Sequence, residues 1–134
     1  MAKRLADLVS AARARIREVD PETAEEMARS RKDVLVVDVR EPEEFAAGRV
    51  PGAFNIPRGM LEASADPDYR RPHPELCRAH RRPVLLYCRT GARSALAAAT
   101  LEEMGFEEVY NVAGGAVTWT ADDCAWEGEV KEEA

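Results

Sequence analysis

Two stretches of this chain are apolar at every position: Val34-Leu35-Val36-Val37 and Pro83-Val84-Leu85-Leu86-Tyr87. A strand with one wet face alternates apolar and polar residues. A strand apolar throughout is buried on both faces, as in a parallel sheet covered by helices. The segments around these runs fit that demand. Leu5, Leu8, Val9, Ala12 and Ile16 recur at helical spacing across residues 2–17. Residues 16–19 form a short strand. Asp20-Pro21 then opens a helix, with an N-cap, a proline at the first helical position, and Glu22, Glu25 and Glu26 near the positive end. Residues 41–47 make a short helix closed by Gly48, and 54–56 an extended piece. Two short helices fall near 58–63 and 73–79. After the strand 83–87 come a loop at 88–93, an alanine-rich helix 94–104 ended by Gly105, a strand 107–111, and a final helix from Gly114-Gly115 to about Asp123. The chain is expected to fray after Trp126. Strands alternating with helices predict an α/β domain with a mostly parallel sheet. The length, 134 residues, suits one domain with a single core and no disulfide or metal staples.

In such a sheet the ligand site lies at the carboxyl ends of the strands. Cys88 directly follows the strand 83–87, and Asp38 with Arg40 ends the strand at 34–37. The loop reads Cys88-Arg89-Thr90-Gly91-Ala92-Arg93 and runs into Ser94 and the alanine-rich helix. Backbone N–H groups converge at a strand–loop–helix junction, and the helix dipole adds partial positive charge. Arg89 and Arg93 add full charges. A positive site favours the thiolate, the reactive form of cysteine. The segment therefore predicts a cysteine nucleophile acting on anionic substrates, in a loop that contains no His, Asp or Glu.

Net charge is −6, which gives no reason to expect nucleic acid or an anionic membrane as partner. The distribution is uneven: seven arginines against Glu75 alone between Arg70 and Arg93. Arg70 through Arg82 read as a solvated basic face. Three widely spaced cysteines, Cys77, Cys88 and Cys124, argue against a disulfide framework. No cysteine or histidine spacing fits a metal site, and no cofactor is expected. Cys77 and Cys124 read as packing residues, and Asp38 and Arg40 as an ion pair near the loop. Met1-Ala2-Lys3-Arg4 leads into no apolar leader, and no run reaches the ~20 apolar residues of a membrane helix. The expected location is the cytoplasm. The N-terminal helix is either an arm packed on the domain, the preferred reading, or a dimer contact.

Three segments resemble one family in order and spacing. Residues 38–57, Asp-Val-Arg-Glu-Pro-Glu-Glu-Phe-Ala-Ala-Gly-Arg-Val-Pro-Gly-Ala-Phe-Asn-Ile-Pro, resemble the first signature of rhodanese-like domains. Residues 88–94 resemble their active-site loop. Asn111-Val112-Ala113-Gly114-Gly115, with Trp119, resembles their C-terminal signature. The likeness spans about 16–122 and departs at Arg49, where many relatives have histidine. It implies a three-layer α/β domain over 16–126 with a mostly parallel five-stranded central sheet flanked by helices, an N-terminal arm at 1–15 and an acidic tail at 127–134. It also implies a sulfurtransferase. Cys88 would carry sulfane sulfur as a persulfide, cradled by the backbone of Arg89, Thr90, Gly91, Ala92 and Arg93. The two arginines suggest thiosulfate as donor, with a thiol or cyanide-like acceptor or a protein partner. Two rivals stand beside this. A cysteine phosphatase or arsenate reductase places arginine after five intervening residues, where this chain has Ser94. A rhodanese-like relay or regulatory binding module would keep the fold without turnover of small molecules.

Overall fold

The computed structural model describes residues 1–130. Along the chain run α1 (Leu5–Arg13), β1 (Arg17–Val19), α2 (Pro21–Ser30), β2 (Leu35–Asp38), α3 (Pro42–Ala47), β3 (Gly48–Arg49), β4 (Phe54–Asn55), α4 (Leu61–Ala65), β5 (Pro83–Tyr87), α5 (Ala92–Glu103), β6 (Glu108–Val112), α6 (Gly115–Ala121) and β7 (Glu127–Gly128). Short 3-10 turns at Arg58–Met60 and Leu76–Arg78 fill the arginine-rich connection.

The main sheet has five strands in the order β1-β6-β5-β2-β4, all parallel. All five residues of β5, its central strand, are buried. Val84 and Leu86 face one layer, with Leu61, Leu76, Ala97 and Leu101. Leu85 and Tyr87 face the other, with Ala24, Ala116 and Trp119. The uninterrupted apolar run thus reflects two cores, one on each side of the sheet. Asp20 caps α2 as expected, accepting from the Thr23 N–H at 2.8 Å.

α1 packs on α5, with Val9 and Ala12 against Ala95 and Ala99. The alanines of α5 are explained by this: the helix is clamped between the sheet and α1, and only small side chains let both neighbours approach.

Several features differ from the expected elements. The helix expected near 73–79 is only the 3-10 turn Leu76–Arg78, and the strand expected at 34–37 runs Leu35–Asp38. α5 begins at Ala92, two residues early, because Gly91 adopts φ +102° and turns the chain straight into the helix. Gly48 is not a left-handed cap: its φ is 179°, and it enters β3. The chain does not fray at Trp126, since β7 pairs antiparallel with β3 and the Glu129 N–H donates to the Ala47 carbonyl at 2.9 Å. Residues 131–134 of the expected tail lie outside the described residues.

Candidate active site

Cys88 sits at the carboxyl end of β5 and is 1% exposed. Its Sγ accepts hydrogen bonds from the Gly91 N–H at 3.1 Å, the Ser94 N–H at 3.5 Å and the Ser94 hydroxyl at 3.3 Å. Ala92, Arg93 and Ser94 form the first turn of α5, whose amides have no carbonyl partner within the helix. The loop proper is therefore only Cys88–Gly91, closed over the sulfur by a helix N-terminus.

A second helix supports the loop from behind. At the start of α6 the Ala116 N–H donates to the Cys88 carbonyl at 2.8 Å, and the Val117 N–H to the Arg89 carbonyl at 3.1 Å. Gly115, at φ +59°, permits that approach, since a Cβ there would lie 2.7 Å from the Arg89 oxygen.

Thr90 is exposed at the loop tip, while Arg89 and Ala92 are half-buried. Arg93 does not present a bare cation. Its guanidinium donates to both oxygens of Glu44, at 2.8 and 3.1 Å. Glu44 is 12% exposed and also accepts the Glu41 N–H at 3.0 Å, which caps α3. The Arg93 hydrogen bonds hold the Glu44 carboxyl below its ordinary value, against the opposing effect of burial.

Asp38 and Arg40 form the expected ion pair beside the site. It is bidentate, with Arg40 Nη2 2.7 Å from Asp38 Oδ2, and both side chains are buried. Arg40 Nη2 also donates to the Gly48 carbonyl at 2.7 Å, and the guanidinium lies 5.6 and 5.4 Å from the Tyr87 and Trp126 ring centroids. Burial works against the Arg40 charge; the hydrogen bonds and charge of Asp38 outweigh it, and the net shift is upward.

Cys124 packs among apolar residues as expected, and burial, with Glu25 beside it, pushes its thiol up to about 11. Cys77 is half-buried and directs its sulfur at the Pro74 carbonyl of its own turn. Arg70, Arg71, Arg78 and Arg81 are exposed, as a solvated face requires, but Arg82 is half-buried: its Nε donates to the Asp33 carbonyl at 2.9 Å and its Nη1 pairs with Glu75 at 2.9 Å. Among the described residues no helix is long and apolar enough to cross a membrane.

Residues 20–122 match the rhodanese-like domain family. This chain belongs to that family. It is similar to a protein named sulfurtransferase from Allochromatium vinosum, 35% identical over 78% of this chain and 88% of the relative. It is also similar to the thiosulfate sulfurtransferase GlpE of Pseudomonas putida, 35% identical over 77% of this chain and 84% of the relative. A solved structure from Rhodopseudomonas palustris superposes with a TM-score of 0.83 at 30% identity, covering 98% of this chain and 96% of that one. It is described as a protein of unknown function and possible tyrosine phosphatase. The rhodanese-like domain thus expected from three short segments is present as a five-stranded, all-parallel α/β fold.

Beyond Cys88 through Arg93, the structure brings Ser94, Glu44 and Gly115 against the loop. Ser94 marks the helix start in sequence, yet its hydroxyl touches the sulfur. Glu44 is separated from Arg93 by 49 residues. Gly115 shows its role only when α6 is seated against the loop. The Gly114-Gly115 pair is the one local signal for that contact, since paired glycines mark a place where backbone approaches backbone.

Proposed function

We propose that this chain is a sulfurtransferase in which Cys88 takes the outer sulfur of a small anionic donor, thiosulfate first among them, and passes it to a thiol or cyanide-like acceptor. The Cys88 thiolate attacks the outer sulfur of thiosulfate. The sulfur–sulfur bond of the donor breaks, and sulfite leaves with the electron pair. Cys88 is left as an anionic persulfide. A nucleophilic acceptor, such as cyanide, then attacks the terminal sulfur, and the Cys88 thiolate is restored. Each half is a thiolate–sulfur exchange, whose rate follows the thiolate fraction and the leaving group. No external oxidant is required.

The observation that carries this reading is the ring of donors around Cys88 Sγ: the Gly91 N–H, the Ser94 N–H and the Ser94 hydroxyl. Fixed donors stabilise a sulfur anion and the charge that develops during transfer. The same ring weighs against phosphoryl chemistry. The position where a phosphatase loop would carry arginine is filled by Ser94, whose hydroxyl turns inward to the sulfur, while the nearby Arg93 is bound to Glu44. The proposed compartment is the cytoplasm, where a free reactive thiol persists.

Intact-mass measurement after incubation with thiosulfate tests the proposal. The expected product is one added sulfur atom, removed by cyanide and absent from Cys88→Ser. No adduct with thiosulfate, mercaptopyruvate or a protein persulfide would sink the reading. Transfer from a protein persulfide alone would make the chain a sulfur relay. Hydrolysis of an aryl phosphate that disappears in Cys88→Ser would restore the phosphatase.

A further inference from the structure

α1 lies outside the matched residues 20–122, yet it reaches the nucleophile loop. Its packing on α5 brings its last residue, Arg13, against the outer side of Gly91. A Cβ placed on Gly91 would lie 3.3 Å from Arg13 Nη2. Arg13 Nε is 3.2 Å from Glu18 Oε2 on β1. Glu18 stands directly opposite Asn111 in the β1–β6 register, and the same Oε2 accepts from Asn111 Nδ2 at 2.8 Å. Asn111 Nδ2 also donates to the Gly91 carbonyl at 3.2 Å. Two acceptors facing one nitrogen set the orientation of the amide.

Asn111 is fully buried, and its Oδ1 has no hydrogen-bond partner among the described residues. Leaving a buried carbonyl oxygen unbonded is unfavourable. Packing alone would be served as well by an apolar residue here. The two hydrogen bonds from Nδ2 give the amide its purpose, and one of them ends on the residue whose N–H is aimed at the Cys88 sulfur.

We infer that Arg13, Glu18 and Asn111 are positioning residues of the sulfur site: a line of contacts from the N-terminal helix that pins Gly91 so that its N–H stays directed at Cys88 Sγ. The inference rests on the reading of Cys88 as the sulfur-carrying nucleophile. Gly91, in its left-handed conformation, has the widest backbone freedom in the loop, so an external pin has the most to restrain there. Charge and geometry are both available explanations for any influence on Cys88. Arg89 belongs to the loop itself, Arg93 pairs with Glu44 of α3, Asp38 pairs with Arg40 at the end of β2, and Arg13 pairs with Glu18.

The test separates the two explanations in the full-length chain. Arg13→Ala, Glu18→Ala and Glu18→Gln all change side chains that are a third or more exposed, or nearly so, and threaten the fold little. The readout is the rate of Cys88 alkylation by iodoacetamide across pH, followed by intact mass. The Cys88→Ser protein corrects for labelling of Cys77 and Cys124. Positioning predicts that Glu18→Ala and Arg13→Ala slow alkylation at neutral pH about fivefold, the scale that one hydrogen bond supplies. The deficit closes at alkaline pH, where the thiol is ionised without help. Glu18→Gln, which keeps an oxygen acceptor for Asn111, reacts within about twofold of the parent chain, on the same scale. A purely Coulombic effect moves Glu18→Ala and Glu18→Gln alike, and that result overturns the inference. So does a set of variants that all react like the parent, or a deficit that persists unchanged at alkaline pH. If the variants separate as expected while no donor delivers sulfur to Cys88, the sulfur-transfer reading fails and the positioning role stands.

Discussion

Glu44 is the residue that most changes the picture of the loop. Counted in sequence, Arg93 is a free charge beside the nucleophile. In the fold it is one end of a two-bond ion pair whose other end caps α3. The pair has a pH signature with a definite sign. The Glu44 carboxyl is held below its ordinary value of 4.5, chiefly by the Arg93 hydrogen bonds. A carboxyl depressed in the folded state contributes stability that is present in full above its unfolded value and is lost as pH falls through the folded value. Glu44→Gln therefore costs about 1 kcal/mol at neutral pH, allowing for the partial exposure of Arg93. The gap between it and the parent chain closes on acidification below 4.5. Denaturant unfolding of both proteins at a series of pH values checks this. A gap that stays constant into acid would assign the stabilisation to something other than the ion pair.

At the scale of elements, two left-handed glycines make a controlled comparison. Gly115 begins α6 against the loop, and a Cβ there meets the Arg89 backbone; Gly105 follows α5 with nothing within 4 Å. Both pay the left-handed penalty on substitution, ~1–2 kcal/mol. Only Gly115→Ala must also push the Cys88–Arg89 backbone away from α6. It is expected to lower stability by more than about 2 kcal/mol and to lose sulfur uptake, whereas Gly105→Ala keeps uptake at the backbone cost alone. Thermal unfolding and the persulfide mass assay read the two effects separately. This contrast also marks how far elements were legible in the sequence. β5 was readable to the residue because burial on both faces leaves no polar position, and the Asp20 cap because its chemistry is local. The start of α5 was not, because Ala92 and Arg93 suit either a loop or a helix and the dihedral of Gly91 decides. β7 was not, because a two-residue exposed strand carries no apolar pattern. Of the candidate site, Cys88 and the turn that closes over its sulfur are visible in the sequence. Its braces are not: Glu44 to Arg93 and Glu18 to Asn111 join residues 49 and 93 positions apart.

At the scale of the whole molecule, the Asp38–Arg40 pair ties the sheet to the C-terminal segment. Arg40 bonds Asp38 at the end of β2 and the carbonyl of Gly48 on β3, while Trp126, just before β7, lies across its guanidinium. Removing one partner strands the other charge in the interior. Arg40→Ala is thus expected to destabilise the fold by about 3–5 kcal/mol. Any surviving folded fraction still takes up sulfur at Cys88, because Arg40 has no hydrogen bond to the loop sulfur. Unfolding curves together with mass analysis of the folded fraction check this, and unchanged stability with abolished uptake would move Arg40 into the chemistry. The depth of Cys88 has a consequence of its own. Cys88 is 1% exposed, and the amides that hold its sulfur belong to Gly91 of the short loop and Ser94 of the first turn of α5. A reagent whose reactive atom is shielded by substituents meets that backbone before it meets the sulfur, while one that ends in a single protruding atom presents it first. The protein would sort its donors by how slender their tips are before any charge is compared.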